Sequence, residues 1–466
     1  MSNTARKSSI HFELSERKLL LRIFDLLSVV GGVFLVSNFF HLDYITVTPE
    51  NWYWIIVLLI YLTFFANVFE WYDLLRSSKY DQIAPNIILA CSVTVLFYLL
   101  TPRITPVLPE SRIQILYFYF AITIPILIWR WAYIFFITSP RYHKNVLLIG
   151  NTNEVNVMTE AIGEATSSIN VIGFINTGKN GKAIEVSALE EFKDFRLKEI
   201  IKENNVSEVI VASNESEDIA KSIFDDLIHL LESGFTIREF TQVYEEITNR
   251  IPVQHIGKDF YRYFPFSRSN QNKLYLLYHR LMDIVLSIIG LALGLVLLPI
   301  VLIGNVMGNR GPLFYSQKRV GMNNELFSIY KLRSMVTDAE KDGAKWSQKN
   351  DPRITSFGKF LRATRIDEFP QLFNVLRGDM SIIGPRPERP EFVKMLTEKL
   401  PFYQARHVIK PGLTGWAQVN ADYGSSEADS LQKLQYDLYY IKHRSFILDL
   451  RIIIKTLSTV LFFRGR

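Results

Sequence analysis

Apolar residues come in two textures along this 466-residue chain. The first third carries four long apolar runs, at 19–40, 53–69, 83–100 and 113–137. A helix rises about 1.5 Å per residue, so about 20 residues cross a hydrocarbon core of about 30 Å, and each run is near that length. From Lys144 the runs become short. KNVLLIG (144–150), NVIGFI (170–175), SEVIVAS (207–213) and FTIREF (235–240) read as strands. NEVNVMTEAI (153–162), LEEFKDFRLKEIIKEN (189–204) and a stretch near 218–233 read as helices. Strands alternating with helices predict a parallel α/β sheet. A fifth greasy run, DIVLSIIGLALGLVLLPIVLIGNVMGN, fills 283–309 and is interrupted by Pro299.

The first run resembles a signal peptide in place and length, but no small-residue cleavage site follows it and three further runs do. Loop charges orient the bundle. Arg6, Lys7, Arg17 and Lys18 precede the first run, and the loop HLDYITVTPEN after it has no Lys or Arg. Arg76 and Lys79 follow the second, and Arg141 and Lys144 follow the fourth, although Arg103 and Arg112 blur the third connection. The bias places both ends of the bundle on the cytoplasmic side. The fifth run is basic on both flanks, with Lys273 and Arg280 before it and Arg310, Lys318 and Arg319 after it. A crossing would export that second flank. A helix–break–helix hairpin turning at Pro299, which removes a helix hydrogen bond, keeps both flanks on one face. An ordinary kinked span is the alternative.

Composition narrows the class. The chain is 48% hydrophobic with a formal charge of +6. With such greasy runs, the basicity points to a lipid bilayer and not to nucleic acid. The one cysteine, Cys91, sits inside an apolar run, which excludes an intramolecular disulfide framework. The eight histidines show no metal-ligand spacing, so no zinc site is expected. In the α/β region Gly150 is followed by NTNEVN, without the later glycines that let a backbone approach a pyrophosphate. A structural or regulatory domain is expected there.

Polar chemistry crowds the last third. FSIYKLRSM carries Lys331 and Arg333 on a strand-like alternation, and RATRIDEFPQLFNVLRGDMSIIGPRP sets Asp367 and Glu368 among arginines. Arginine forks match phosphate oxygens bidentately, which suggests an anionic substrate. A basic face against anionic lipid would explain Lys318 and Arg319, but not arginines interleaved with Asp351, Asp367, Glu368 and Asp379. On a helix, adjacent carboxylates diverge by about 100°. They can serve one site without sharing a proton, one attacking phosphorus while the other helps to hold Mg²⁺. Arg362, about one and a half turns before Asp367, can line the same pocket.

Six ordered blocks carry a specific resemblance: RLMD (280–283), QKRVG (317–321), YKLRSM (330–335), DPRIT (351–355), LRATRIDEFPQLFNVLRGDMSIIGPRP (361–387) and GLTGWAQVN (412–420). They resemble the bacterial sugar transferase domain of the polyprenyl-phosphate glycosyl-1-phosphate transferases. The leading spans and α/β region are similar to large members of that family in layout more than in motif. The resemblance implies that Asp367 is the nucleophile, that Glu368 supports catalysis and the metal, and that Arg362 and Arg386 bind phosphate. Lys331, Arg333, Arg353 and Asp437 join them as phosphate- or substrate-binding candidates. It also implies a re-entrant greasy hairpin, here broken at Leu298-Pro299 where the family often has Ser-Pro.

The expected architecture is a membrane protein in four parts. A four-helix transmembrane bundle covers 1–140 and a degenerate Rossmann-like α/β domain covers 141–250. A linker follows at 251–272. An α/β catalytic domain anchored by a re-entrant helix hairpin occupies 273–466. The expected reaction moves a hexose-1-phosphate from a UDP-sugar to undecaprenyl phosphate at the cytoplasmic face of the inner membrane. It releases UMP through a covalent Asp-phosphosugar, with Mg²⁺ as cofactor, and starts exopolysaccharide, capsule or O-antigen repeat units. Glucose leads, with galactose or another hexose as alternatives, and a homodimer is compatible. Two other readings compete: a reductase or epimerase using the α/β domain, and a non-catalytic scaffold for polysaccharide assembly. The poor glycine loop and the lack of a Tyr-x-x-x-Lys pair in that domain oppose the first. The intact blocks oppose the second.

Overall fold

The computed structural model describes residues 14–40, 44, 50–109, 111–137, 144–165, 169–177, 189–192, 196–212, 221–255, 272–339, 341, 343, 351–421, 424 and 426–461. Arg6, Lys7, Arg141 and positions 256–271 of the expected linker lie outside the described residues. The chain divides into two compact units, Met1–Val243 and Tyr244–Arg466.

In the first unit the apolar runs are helical: α1 (Leu14–Phe40), α2 (Tyr53–Val68), the single turn α3 (Leu74–Ser77), α4 (Tyr80–Leu99) and α5 (Ile113–Ile137). Of these, α1, α4 and α5 are long and apolar enough to span a membrane. The second run forms a helix of only 16 residues, about 24 Å, shorter than the expected span. A charge pair hidden from the sequence ties α1 to α5. Asp25 and Arg130 are fully buried and joined bidentately at 3.0 and 2.5 Å. Arg130 also donates to the Trp71 carbonyl and the Ser77 hydroxyl. Charges inside an apolar bundle persist only when paired in this way.

The rest of that unit is a parallel sheet in the order β3-β2-β1-β4-β5. The strands are β1 (Lys144–Gly150), β2 (Ile169–Asn176), β3 (Glu190–Glu191), β4 (Glu208–Val211) and β5 (Thr236–Glu239). The helices between them are α6 (Thr152–Ala165), α7 (Leu197–Glu203) and α8 (Lys221–Glu232). The helix expected over 189–204 is shorter: its start pairs with β2 as strand β3 and, among the described residues of that stretch, the helix is Leu197–Glu203. At the mouth of β1, Glu154 accepts from Asn151 N at 3.3 Å while Asn151 Oδ1 accepts from Glu154 N at 3.0 Å. The chain's own carboxylate thus occupies the helix N-terminus that receives pyrophosphate in dinucleotide-binding folds.

α9 (Phe240–Thr248) leads into the second unit. Ile251 and Val253, which fall at the head of the expected linker, are buried in that unit's core. The fifth run forms α10 (Lys273–Gly304), a single helix continuing through Pro299 and loosening into a wider turn at Asn305–Asn309. The expected break into two helices is absent: Pro299 removes one donor and the flanking turns carry the helix past it. A hairpin, β6 (Phe314–Val320) and β7 (Leu326–Leu332), follows in antiparallel register. Then come α11 (Ser356–Ala363), α12 (Gln371–Arg377), β8 (Ser381–Ile383) and α13 (Pro390–Lys399). β9 (Gly412–Thr414), α14 (Trp416–Asn420), α15 (Glu427–His443) and α16 (Phe446–Leu461) complete the unit.

α10 is held by this one unit along its whole length. Arg280 donates to the Val375 and Leu376 carbonyls, both at 2.7 Å. Asp283 accepts from Ser381 Oγ and Ile382 N, both at 2.8 Å. Farther along, Gly290 and Gly294 lie against Leu372 and Phe369. At the far end Asn309 donates to the Arg333 carbonyl at 2.7 Å. The opposite face leaves Leu281, Val285, Ile288, Leu295, Val296 and Ile303 exposed.

Candidate active site

The site is assembled where α11 gives way to α12. The Thr355 hydroxyl caps α11, accepting from Gly358 N at 2.9 Å. Past Thr364, Arg365 takes a left-handed backbone with φ of 59°, which costs about 1–2 kcal/mol for a non-glycine residue. That reversal leads into a tight turn, Ile366–Glu368. Asp367 and Glu368 therefore sit on a three-residue-per-turn segment and not on the ordinary helix expected. Their positions along the backbone still diverge, by about 120°. Both are buried, at 6% and 7% exposure.

Their environments differ in kind. Glu368 Oε1 accepts from Lys331 Nζ at 2.9 Å and from Arg386 Nη2 at 2.8 Å, and Arg365 lies 3.8 Å from Oε2. Burial alone would raise the Glu368 carboxyl, but the Arg386, Lys331 and Arg365 charges outweigh it and hold the group well below its ordinary range. Asp367 accepts no hydrogen bond and makes no ion pair among the described residues. Burial first, and then the Glu368 charge, push its carboxyl up to about 6 against the pull of Lys331, Arg362 and Arg365. One carboxylate is locked; its neighbour keeps its lone pairs.

The loop that delivers Arg386 is set by close backbone packing. A Cβ on Gly384 would meet the Lys410 carbonyl at 2.4 Å, and one on Gly412 would meet Gly384 N at 2.1 Å. Only glycine lets the Gly-Pro-Arg-Pro run and the start of GLTGW approach so closely. Among the described residues no group of three His, Cys, Asp or Glu is arranged to hold a metal.

The family model for bacterial sugar transferases matches residues 274–463. A Bacillus subtilis protein, provisionally named an undecaprenyl-phosphate N-acetylgalactosaminyl 1-phosphate transferase, is 50% identical over 141 residues, 30% of this chain and 79% of its own. The chain belongs to the bacterial sugar transferase family. An Aeromonas hydrophila UDP-N-acetylgalactosamine-undecaprenyl-phosphate N-acetylgalactosaminephosphotransferase is 38% identical over 256 residues, 54% of this chain and 59% of its own. An undecaprenyl-phosphate glucose phosphotransferase of Komagataeibacter xylinus is 39% identical over 215 residues, 44% of this chain and 40% of its own. The chain thus spans 40% to 59% of the length of these two longer relatives.

In this member of the family the expected site residues divide into two groups. Lys331 and Arg386 converge on Glu368. Arg362 Nε donates to Ser334 Oγ at 3.0 Å, beside Asp367's field. The other three are engaged elsewhere. Arg333 donates to the carbonyls of Asn309, Pro312 and Met335, fastening the end of α10 to β7. Arg353 grips Asp351 with two bonds at 2.8 and 2.6 Å. Asp437 is fully buried and accepts from Arg406 Nη2 at 2.7 Å. Pro299 lies inside α10, not at a break. Arg406 and Ser334 escaped the sequence reading. Arg406's carboxylate partner is 31 residues away in the chain, and no local pattern marks such a pair.

Proposed function

We propose that the protein transfers a sugar-1-phosphate from a UDP-sugar to undecaprenyl phosphate, starting a polysaccharide repeat unit at the cytoplasmic face of a bacterial inner membrane. One observation carries this reading: a buried carboxylate with unshared lone pairs beside a second that three cations hold. An Asp367 oxygen attacks the phosphorus bonded to the sugar oxygen. The bond from that phosphorus to the bridging oxygen breaks, and UMP leaves with the oxygen. A phosphate oxygen of the lipid then attacks the same phosphorus, freeing the carboxylate and forming the lipid-diphosphate sugar. Glu368 is the poorer nucleophile, because Lys331 and Arg386 draw on the oxygen that would attack. Arg362 and Arg365, whose charges already reach Asp367, offset the charge of the incoming diphosphate.

The donor set fits Mg²⁺ held by one or two carboxylates and substrate phosphates, the usual mode for that ion. Asp367 would supply the open oxygens with Glu368 behind it. The ion would add positive charge across the diphosphate. Relatives' names divide among glucose, N-acetylgalactosamine and galactose. Glucose, borne by several of them, is the first donor to test. The test is UMP release by purified protein with undecaprenyl phosphate and UDP-glucose, UDP-galactose or UDP-N-acetylgalactosamine. UMP release with one of these supports the reading, and silence with all of them removes it.

Turnover should depend on pH through Asp367. With its carboxyl raised to about 6, the attacking charge is present above that pH and is lost as pH falls through it. The rate should fall about tenfold per unit below pH 6. A flat profile down to pH 4.5 would contradict this.

We further propose that α10 does not cross the membrane and keeps both its ends on one face. Polar contacts at its first turns (Arg280, Asp283) and its last (Asn309) all fall in the same domain. A helix of this length that crossed would carry its far end past a core of about 30 Å. Cysteines placed at 273 and 318, with Cys91 replaced, should both react only with reagent on the cytoplasmic side. Labelling of position 318 from outside would show an ordinary span.

A further inference from the structure

Resting on the transfer reading above, we propose that Arg406 and Asp437 are positioning residues: they touch no substrate, but fix the backbone of Arg386 so that its guanidinium closes on Glu368. Arg406 Nη2 donates to the Arg386 carbonyl at 3.0 Å and to Asp437 Oδ2 at 2.7 Å. Its Nη1 donates to the Tyr403 hydroxyl at 2.6 Å. Arg386 in turn donates to Glu368 Oε1 at 2.8 Å. Hydrogen bonds thus tie α15 to the backbone of Arg386, whose own side chain reaches the carboxylate beside the nucleophile.

Three features favour positioning over substrate contact. Arg406 is 6% exposed and Asp437 is 2% exposed. The carboxylate meets the guanidinium directly, and the same guanidinium nitrogen reaches the Arg386 carbonyl. A buried ion pair, finally, is an expensive way to fill space, since well-packed apolar residues are often as stabilising. Its value lies in geometry. The planar guanidinium fork can serve Tyr403, Asp437 and the Arg386 carbonyl together, which a lysine ammonium on a flexible stem cannot do with the same directions. This converts Asp437 from a substrate-binding candidate into a support for one.

A double-mutant cycle with Arg386 tests the pair in the full-length protein. Asp437→Asn should lower kcat for UMP release by about 10- to 100-fold with KM for the UDP-sugar little changed, and by less than about threefold once Arg386→Ala is present. Arg406→Lys should behave the same way, and it covers the case in which Asp437→Asn does not fold. The second readout needs no turnover. Either variant, while folded, should speed amide hydrogen exchange at Gly384, Arg386, Glu388 and Arg389, the residues of 384–389 that carry an amide proton, whereas Asp367→Asn should not. Equal losses in both Arg386 backgrounds, or unchanged exchange at 384–389 in a folded variant, overturn the proposal. Failure of the transfer reading itself would show separately, as wild-type protein that releases no UMP while the exchange result still reports on the pair.

Discussion

Replacing Asp367 by asparagine should cut UMP release by at least about a thousandfold, some 4 kcal/mol at tenfold per 1.36 kcal/mol. The amide keeps the shape and removes the attacking charge. The same substitution should not unfold the protein, and the sign of the titration shows why. Burial and the Glu368 charge raise the Asp367 carboxyl from 3.8 to about 6, so the folded state favours its neutral form. At pH 7 its ionisation therefore weighs against folding, and a neutral isostere lifts that penalty. The thermal midpoint of Asp367→Asn should equal or exceed that of the wild type. Turnover within tenfold of wild type, or a protein that melts early, would contradict this account.

Glu368→Gln should lose activity too, by about a hundredfold, with the opposite effect on stability. Its carboxyl is held well below the ordinary range, so its charge stabilises the fold at any pH above the unfolded value and is lost only as pH falls. Glutamine leaves Lys331, Arg365 and Arg386 without the anion on which they converge. Removing one partner of a buried pair costs about 3–5 kcal/mol, and the partial solvation of Arg386 points to the lower end, about 3 kcal/mol. The two neighbouring isosteric changes should thus move the melting temperature in different directions while both depress turnover. Equal shifts would mean that the carboxylates share one environment, against the contacts observed.

Elements ruled by length and period were legible in the sequence. Apolar runs near 20 residues became helices, and the short β-branched runs at 144–150, 170–175 and 207–213 fall on β1, β2 and β4. The stretch at 189–204 was misread because its Phe and Leu spacing suits a helix, while pairing with β2 claims Glu190 and Glu191 for the sheet. The tight turn under Asp367 and Glu368 was also hidden: it follows from the left-handed Arg365, and arginine carries no local preference for that backbone. At the site, the acidic pair could be named from its blocks. Which arginines face it could not. Arg333 and Arg353 have the same fork as Arg386. They are spent on backbone carbonyls and on Asp351, because chain reversals at 309–313 and 351–355 leave acceptors within reach. Such assignments depend on contacts 20 or more residues apart for Arg333, and for Arg406 and Asp437 as well.

The central claim is that Asp367 carries the sugar-phosphate between donor and lipid. Its direct test is to incubate the protein with UDP-sugar labelled in the hexose and with no lipid acceptor, then map the adduct by peptide mass spectrometry. A phosphohexose on Asp367, appearing with one equivalent of UMP and discharged on adding undecaprenyl phosphate, is the expected result. An adduct on any other residue, or UMP formed only when lipid is present with no adduct at all, would contradict it and leave direct attack by the lipid phosphate.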